Sequence, residues 1–151
     1  MVDIFTGSCL CGKVKYECTR KPESATYCHC DDCRKTTGSA FNVGVRVSVS
    51  DFKIISGEVK GYTKTADSGN QLTRVFCPNC GSPLFTRSPV HPDHVYIKAG
   101  SLDDPNIVQP KIQIWMSKKV PWAEIDSSLT YFPQNRTIPE KKEAKKIRPD
   151  V

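Results

Sequence analysis

Two short stretches that each contain a pair of cysteines decide how this chain folds. Residues 7–17 read GSCLCGKVKYE, and residues 76–82 read FCPNCGS. A C-x-C or C-x-x-C spacing lets one tight turn direct two thiolates at one point, which is how zinc sites begin. An ion shared by both stretches would tie the beginning of the chain to its later strands and add folding free energy directly. We therefore predict a structural zinc site formed by Cys9, Cys11, Cys77 and Cys80.

A third stretch, residues 28–39, reads CHCDDCRKTTGS and places three more cysteines within six residues. Seven clustered thiolates divide into a closed set of four and an open set of three, and an open set leaves one coordination position for water or substrate. Zinc in such a site can lower the pKa of a bound water or thiol, or polarise an aldehyde oxygen. The pattern therefore predicts a second, catalytic zinc site formed by Cys28, Cys30 and Cys33.

Two other arrangements of ligands remain open at this point. His29 lies between two of the predicted ligands and would close the site if it supplied a fourth bond, although neighbouring side chains in an extended segment point apart. The middle cluster could instead share an ion with Cys77 and Cys80 as a zinc ribbon, which would leave the first pair unused.

Several other polar residues are candidates for a functional role. Arg34 and Lys35 would attract a carboxylate-bearing thiol and are predicted to bind it, with a solvated helix surface as the alternative. Cys18 ends an alternating strand, where a buried thiol behaves as a small apolar residue. His91 and His94 lie in a proline-flanked loop and have no assigned role.

The chain has 151 residues, of which 38% are hydrophobic and 25% are charged, a composition typical of a globular protein. No apolar run approaches the ~18 residues of a membrane span, and the first residues, MVDIFTGSCLCG, lack the features of a signal peptide. A cytoplasmic location is expected, where clustered thiols stay reduced and bind metal rather than form disulfides. Part of the net charge of +6 comes from residues 140–151, which carry five basic and three acidic side chains. The other basic residues are scattered singly, so no nucleic-acid partner is expected. A homo-oligomer is compatible with the sequence.

Short segments of alternating polarity, separated by Gly, Pro, Asn, Asp or Ser, predict a mainly β protein with antiparallel strands. A short helix is expected over Asp31–Thr36, ended by Gly38, and a turn around Leu102–Asn106. One domain over 1–133 and a polar basic tail over 134–151, expected to be loose, complete the organisation. The predicted strands are Lys13–Cys18, Phe41–Val49, Phe52–Ile55, Val59–Thr63, Leu72–Phe76, Leu84–Arg87, Val95–Ala99 and Ile112–Met116.

The chain resembles the glutathione-dependent formaldehyde-activating enzymes and the related centromere protein V domain. The likeness spans about residues 7–132 and rests on five motifs in the order of that family: GSCLCGKVKYE, YCHCDDCRKTTGSAF, FCPNCGSPLF, VYIKAGSLDDP and IWMSKKVPW. It implies a β-tent fold of layered antiparallel sheets with two zinc ions, one structural and one catalytic, on the ligand sets given above. It also implies a carbon–sulfur lyase whose substrates are small thiols and aldehydes, as in the formation of S-hydroxymethylglutathione from glutathione and formaldehyde.

A different class of function is also open, a zinc-stabilised module that binds a protein partner without catalysis. The resemblance includes the centromere protein V domain, which is tied to chromatin and microtubules. A scaffold of that kind needs only the four-cysteine site, so the three-cysteine cluster favours an enzyme.

Overall fold

The protein divides into two compact units that interleave along the chain. The computed structural model describes residues 4–136, and the protein is mainly β, with 40% strand and 14% helix. The first unit consists of the chain up to Ala25 and of Gly44–Gln109, and the second consists of Thr26–Val43 and of the chain from Pro110 onward. One domain over 1–133 stays a prediction, and most of the tail predicted over 134–151 lies outside the described residues.

The regular elements are short and follow one another closely. Four single 3-10 turns, at Val49–Asp51, Ala99–Ser101, Pro105–Ile107 and Met116–Lys118, connect strands. No helix of the described part is long and apolar enough to cross a membrane. In chain order the elements are β1 (Phe5–Ser8), β2 (Lys15–Cys18), β3 (Ser24–Cys28), α1 (Asp31–Thr37), β4 (Asn42–Ser48), β5 (Phe52–Ser56), β6 (Lys60–Thr65), β7 (Gln71–Phe76), β8 (Pro83–Arg87), β9 (His94–Lys98), β10 (Ile112–Ile114) and β11 (Thr130–Tyr131).

The first unit contains two antiparallel sheets with an aromatic core between them. One sheet has the strand order β1-β2-β5, and the other has the order β4-β9-β8-β7-β6. Tyr16 of β2 packs on Phe52 of β5 with ring centroids 5.4 Å apart, and Phe52 packs on Phe85 of β8 at 4.9 Å. Tyr16 and Phe85 are fully buried. These contacts hold the two sheets against each other and bury the inward side of each strand.

The second unit combines a small parallel sheet with the helix. Its strand order is β11-β10-β3, and β10 runs parallel to both neighbours. The side chain of Cys30 caps α1 by accepting a hydrogen bond from Cys33 N–H. Gly38 ends the helix with a φ of 65°, a left-handed conformation that glycine adopts without strain. The cap brings Cys30 and Cys33 together at the first turn of the helix.

The structure confirms the predicted mainly β class with antiparallel sheets and matches all eight predicted strands to within a few residues. The helix prediction is confirmed with an end at Thr37 and the glycine cap. Three strands escaped prediction because β1, β3 and β11 are short and lack a clear alternation. The parallel pairing of β10 was also not predicted, since it joins segments far apart in the chain.

We predict that Gly7→Ala destabilises the first unit. A Cβ atom at Gly7 would overlap the phenol ring of Tyr16 and the Ser101 carbonyl oxygen, and the ring is fully buried and cannot move aside. Forced overpacking of this kind costs about 3 kcal/mol of unfolding free energy. Urea denaturation at a fixed zinc concentration measures this loss.

Gly100→Ala is the matched control, because nothing lies within 4 Å of a Cβ atom there. Its unfolding free energy should stay within about 1 kcal/mol of the wild type. Equal midpoints for Gly7→Ala and the wild type would contradict the packing described between β1 and β2.

Candidate metal centres

The first thiol cluster lies in the first unit, where two tight turns meet. The loop between β1 and β2 provides one cysteine pair, and the loop between β7 and β8 provides the other. All four sulfur atoms lie within 4.8 Å of one another. The Sγ–Sγ distances are 3.5 Å for Cys9–Cys11 and 3.8 Å for Cys11–Cys77. A tetrahedral zinc ion with Zn–S bonds of about 2.3 Å requires sulfurs about 3.8 Å apart, so the donor set fits zinc.

The two turns are built alike and are joined to each other. Gly12 N–H donates to Cys9 O at 3.0 Å, and Gly81 N–H donates to Cys77 O at 2.8 Å. Both glycines have a φ of 79°, which a residue with a side chain adopts only under strain. Each turn therefore needs its glycine to bring its two sulfurs to the same side.

Polar groups of the two turns lie within hydrogen-bond distance of two sulfurs of this cluster. Val14 N–H donates to Cys9 Sγ at 3.2 Å, and the Ser82 hydroxyl lies 3.2 Å from Cys80 Sγ. The Ser82 hydrogen bond is the main reason why the pKa of Cys80 falls to about 5. Ser82 Oγ also accepts from Leu10 N–H at 2.9 Å, which connects the two turns. At Cys80, the thiolate form in which cysteine binds metal is thus favoured.

The second thiol cluster lies in the second unit, at the junction of β3 and α1. Cys28 ends β3, Cys30 caps the helix, and Cys33 lies in its first turn. The sulfurs of Cys28 and Cys30 are 3.4 Å apart, and Cys33 N–H donates to Cys30 Sγ at 3.3 Å. All three sulfurs lie within 4.8 Å of one another, and no fourth His, Cys, Asp or Glu of residues 4–136 joins them.

The electrostatics of this cluster favour a bound cation. The pKa of Cys28 is raised far above its ordinary range, because its thiol is hydrogen-bonded to those of Cys30 and Cys33 and is buried. Three thiolates so close together repel one another without a positive charge between them. A soft divalent ion removes that repulsion and takes all three sulfurs as ligands, so the residues fit zinc.

The positions of the sulfurs bear on the two ligand arrangements that the sequence left open. His29 is fully buried and is not part of the three-sulfur cluster. Its Nε2 lies 2.9 Å from Gln113 Oε1, and its ring contacts that of Phe41 with centroids 5.7 Å apart. The zinc-ribbon alternative also fails, since Cys77 and Cys80 lie with the first pair of cysteines.

Arg34 and Lys35, predicted to bind a carboxylate, lie on α1 beside the second cluster in sequence. Arg34 Nη2 is 3.5 Å from Asp31 Oδ1, and Lys118 Nζ is 3.4 Å from Asp31 Oδ2. The hydrogen bond and the charge of Lys118 hold the pKa of Asp31 below its usual value. Lys35 is exposed. A role of Arg34 and Lys35 in binding substrate stays a prediction.

The remaining candidates belong to neither sulfur cluster. Cys18 is fully buried, and burial raises its pKa to about 12, as expected of a thiol used as an apolar side chain. His94 lies on β9 with Nε2 3.2 Å from Glu23 Oε2, and Arg46 Nε is 3.3 Å from the same oxygen. His91 lies in the loop after β8, with its N–H donating to Ser88 O. All eight cysteines lie in the described part, and none of them forms a disulfide there.

The fold and the two clusters define a mainly β protein with one four-thiol and one three-thiol cluster, each of which could hold a metal ion. The chain belongs to the glutathione-dependent formaldehyde-activating enzyme family, whose model matches residues 4–118. That range contains all seven clustered cysteines.

The chain is similar to one curated protein and to one solved structure. A protein of Schizosaccharomyces pombe named an uncharacterized lyase is 30% identical over 84 residues, which are 54% of this chain and 56% of that protein. The chain thus matches about half the length of this curated relative. A crystal structure of a Rhodobacter sphaeroides protein is similar with a TM-score of 0.52 at 22% identity, over 65% of this chain and 87% of that one. The second likeness concerns the fold alone.

We predict that the two clusters respond differently when a ligand is removed. Cys30→Ser should lower the zinc content from two to one per chain and leave the fold intact, because its cluster joins residues that are close in sequence. Cys77→Ser should lower the melting temperature on the order of 10 °C or more, because its cluster joins distant turns. Elemental analysis and thermal denaturation of anaerobically purified protein measure both effects.

Cys18→Ala is the control for these variants, since Cys18 lies outside both clusters. It should keep two zinc ions per chain. Comparable melting losses in Cys30→Ser and Cys77→Ser would contradict the division into a catalytic and a structural centre.

Proposed function

We propose that this protein is a zinc-dependent carbon–sulfur lyase, or synthase in the reverse direction, which acts on the adduct of a small thiol and an aldehyde. The observation that carries this proposal is the open donor set of Cys28, Cys30 and Cys33, which has three sulfurs and no fourth ligand among residues 4–136. A four-ligand site stabilises a fold, whereas a three-ligand site leaves a position for substrate. The family name and the lyase name of the S. pombe relative support the same class of reaction.

The chemistry suits such a site. In the synthetic direction, the thiol sulfur attacks the carbonyl carbon, a C–S bond forms, and the π electrons of the C=O bond move to oxygen. The proton lost by the thiol ends on that oxygen, so the product is a hemithioacetal, and the lyase direction reverses each change. With glutathione and formaldehyde as substrates, the product is S-hydroxymethylglutathione. No oxidant or reductant is consumed.

In this reaction, residues of the second unit would hold the metal ion and attract the thiol substrate. A zinc ion, when bound, supplies Lewis acidity toward a thiol or a carbonyl oxygen. Cys28, Cys30 and Cys33 hold the ion, and the bond from Cys33 N–H to Cys30 Sγ keeps one ligand in place as charge changes. Arg34 and Lys35 add positive charge that attracts the carboxylates of a thiol such as glutathione. Hemithioacetal formation is intrinsically easy, so orientation of two reactants supplies much of the acceleration.

The location and partners of the enzyme follow from the proposal. Small thiols and aldehydes are the expected substrates, with no membrane or nucleic-acid partner, and a reducing compartment such as the cytoplasm keeps the thiols available for metal. The alternative of a binding module without catalysis requires only the four-thiol centre. The geometry of the three-thiol cluster favours the enzyme.

The proposed activity can be measured by exchange NMR with carbon-13 formaldehyde and glutathione at equilibrium. The wild-type protein should accelerate the exchange of label between free formaldehyde and the adduct. Cys30→Ser should reduce the exchange to the rate without protein, whereas Cys18→Ala should keep the wild-type rate. Replacing glutathione with cysteine and other small thiols in the same assay identifies the preferred thiol.

Equal exchange rates for Cys30→Ser and the wild type would remove the three-cysteine centre from the reaction. An absence of acceleration with every thiol and aldehyde tested, in protein that holds two zinc ions, would favour the binding module instead.

A further inference from the structure

We propose that Gln113, acting through the imidazole of His29, is a positioning residue that aims the sulfurs of Cys28 and Cys30 at one point. This inference rests on the proposed function, because it concerns the same three-cysteine centre. It assigns a role to a residue that lies far from the cysteine motif in sequence and belongs to neither cysteine cluster.

The contact between His29 and Gln113 is buried, and its geometry determines which ring nitrogen of His29 donates a hydrogen bond. Neither His29 nor Gln113 has any exposed surface, and His29 Nε2 lies 2.9 Å from Gln113 Oε1. Because an amide oxygen only accepts, Nε2 carries the proton and donates it. Gln113 Nε2–H in turn points to the Asp126 carbonyl oxygen at 3.5 Å, which orients the amide. The ring is therefore held in one tautomer and one orientation.

The position of His29 in the motif makes this orientation matter for the cysteines. Side chains alternate in direction along an extended segment, so residues one apart point to opposite sides and residues two apart share a side. Cys28 ends strand β3, and Cys30 has extended backbone angles, φ −63° and ψ 157°. A His29 ring drawn into the protein interior by Gln113 thus directs the two flanking sulfurs to the opposite side, where they lie 3.4 Å apart.

Strand β10 holds the main chain of the motif at the same place. It pairs in parallel with β3, with Gln113 opposite Tyr27 and Ile114 opposite Cys28. His29 N–H donates to Ile114 O at 3.1 Å, one residue beyond the last paired position. Backbone and side chain of His29 are therefore fixed by two consecutive residues of one strand. These contacts order the cysteine loop without involving a metal ion, which reduces the entropy cost of metal binding.

Two features beside this contact carry an energetic cost, one at the His29 ring and one in the backbone after β10. His29 Nδ1 is buried and has no hydrogen-bond partner in the described part of the chain, which a site chosen for packing alone would avoid. Directly after β10, Trp115 adopts a left-handed conformation with φ 58° and ψ 40°, and it is the one residue other than glycine with positive φ in residues 4–136. Strained backbone persists where surrounding contacts determine it closely.

The test is zinc affinity of the second site, measured by competition with a chromogenic chelator on protein that starts with two zinc ions. Gln113→Met removes the acceptor with little change in volume and should weaken the second zinc ion by about 10- to 100-fold, the usual effect of losing a partner behind a metal ligand. The first zinc ion should be unaffected. Gln113→Glu keeps an oxygen at the same reach and should restore most of the affinity.

Tyr16→Phe is the matched control, because it removes another buried hydrogen bond, from the Tyr16 hydroxyl to Ser101 Oγ at 2.7 Å in the first unit. It should lower the melting temperature without changing the second zinc affinity. Cobalt-substituted protein gives an independent readout, since the thiolate-to-cobalt absorption of the second site should shift in Gln113→Met and stay unchanged in Tyr16→Phe. If Gln113→Met fails to fold, Gln113→Asn withdraws the oxygen by one methylene and serves the same test.

The outcomes separate the two proposals. If the wild type holds two zinc ions and Gln113→Met binds the second as tightly as the wild type, the positioning role is wrong and the proposed function stands. If the wild type holds no ion at the three-cysteine cluster, the proposed function is wrong, and the positioning role is wrong with it. A weaker second ion in Gln113→Met alone, with rescue in Gln113→Glu, supports the positioning role.

Discussion

The mutual repulsion of closely spaced thiolates is the constraint on which the rest of this structure depends. Seven sulfurs are gathered into two groups, and within each group all sulfurs lie within 4.8 Å of one another. Such groups are stable only as hydrogen-bonded thiols or as thiolates around a cation. The Ser82 hydroxyl favours the thiolate form of Cys80 in the first group, while hydrogen bonds with the thiols of Cys30 and Cys33 raise the pKa of Cys28 in the second.

The two groups solve this constraint in different ways, and the difference is the basis of the functional proposal. The four-sulfur group connects two loops that are far apart in sequence and completes a tetrahedral donor set. The three-sulfur group is compact, because Cys28, Cys30 and Cys33 follow one another at the start of a helix. Its rigidity is provided instead by strand β10, through Ile114 O and Gln113 Oε1. We propose that structural and reactive metal chemistry belong to these two separate cysteine motifs.

Local patterns in the sequence predict much of this arrangement. Alternation predicts strands such as Lys15–Cys18, in which Tyr16 and Cys18 are buried, and cysteine spacing predicts which sulfurs come together. Gly38 predicts the end of the helix. These features succeed because each depends on residues within a few positions of one another.

The features that escaped prediction depend on contacts between distant residues. The parallel pairing of β10 with β3 and the hydrogen bond from His29 to Gln113, 84 residues away, have no local signature. For the same reason, the sequence leaves the role of His29 open between ligand and bystander. Only the fold brings the glutamine to the ring and shows that the ring is held by Gln113 rather than placed in the sulfur cluster.

The central claim, that one closed and one open thiolate centre coexist in this protein, is tested most directly by zinc K-edge X-ray absorption on the protein loaded with two zinc ions. A four-sulfur and a three-sulfur site together predict a mean of about 3.5 sulfur and 0.5 oxygen or nitrogen scatterers per zinc. Addition of a thiol substrate should raise the mean sulfur number toward four. A mean of four sulfurs without any added thiol, and no lighter scatterer, would contradict the account.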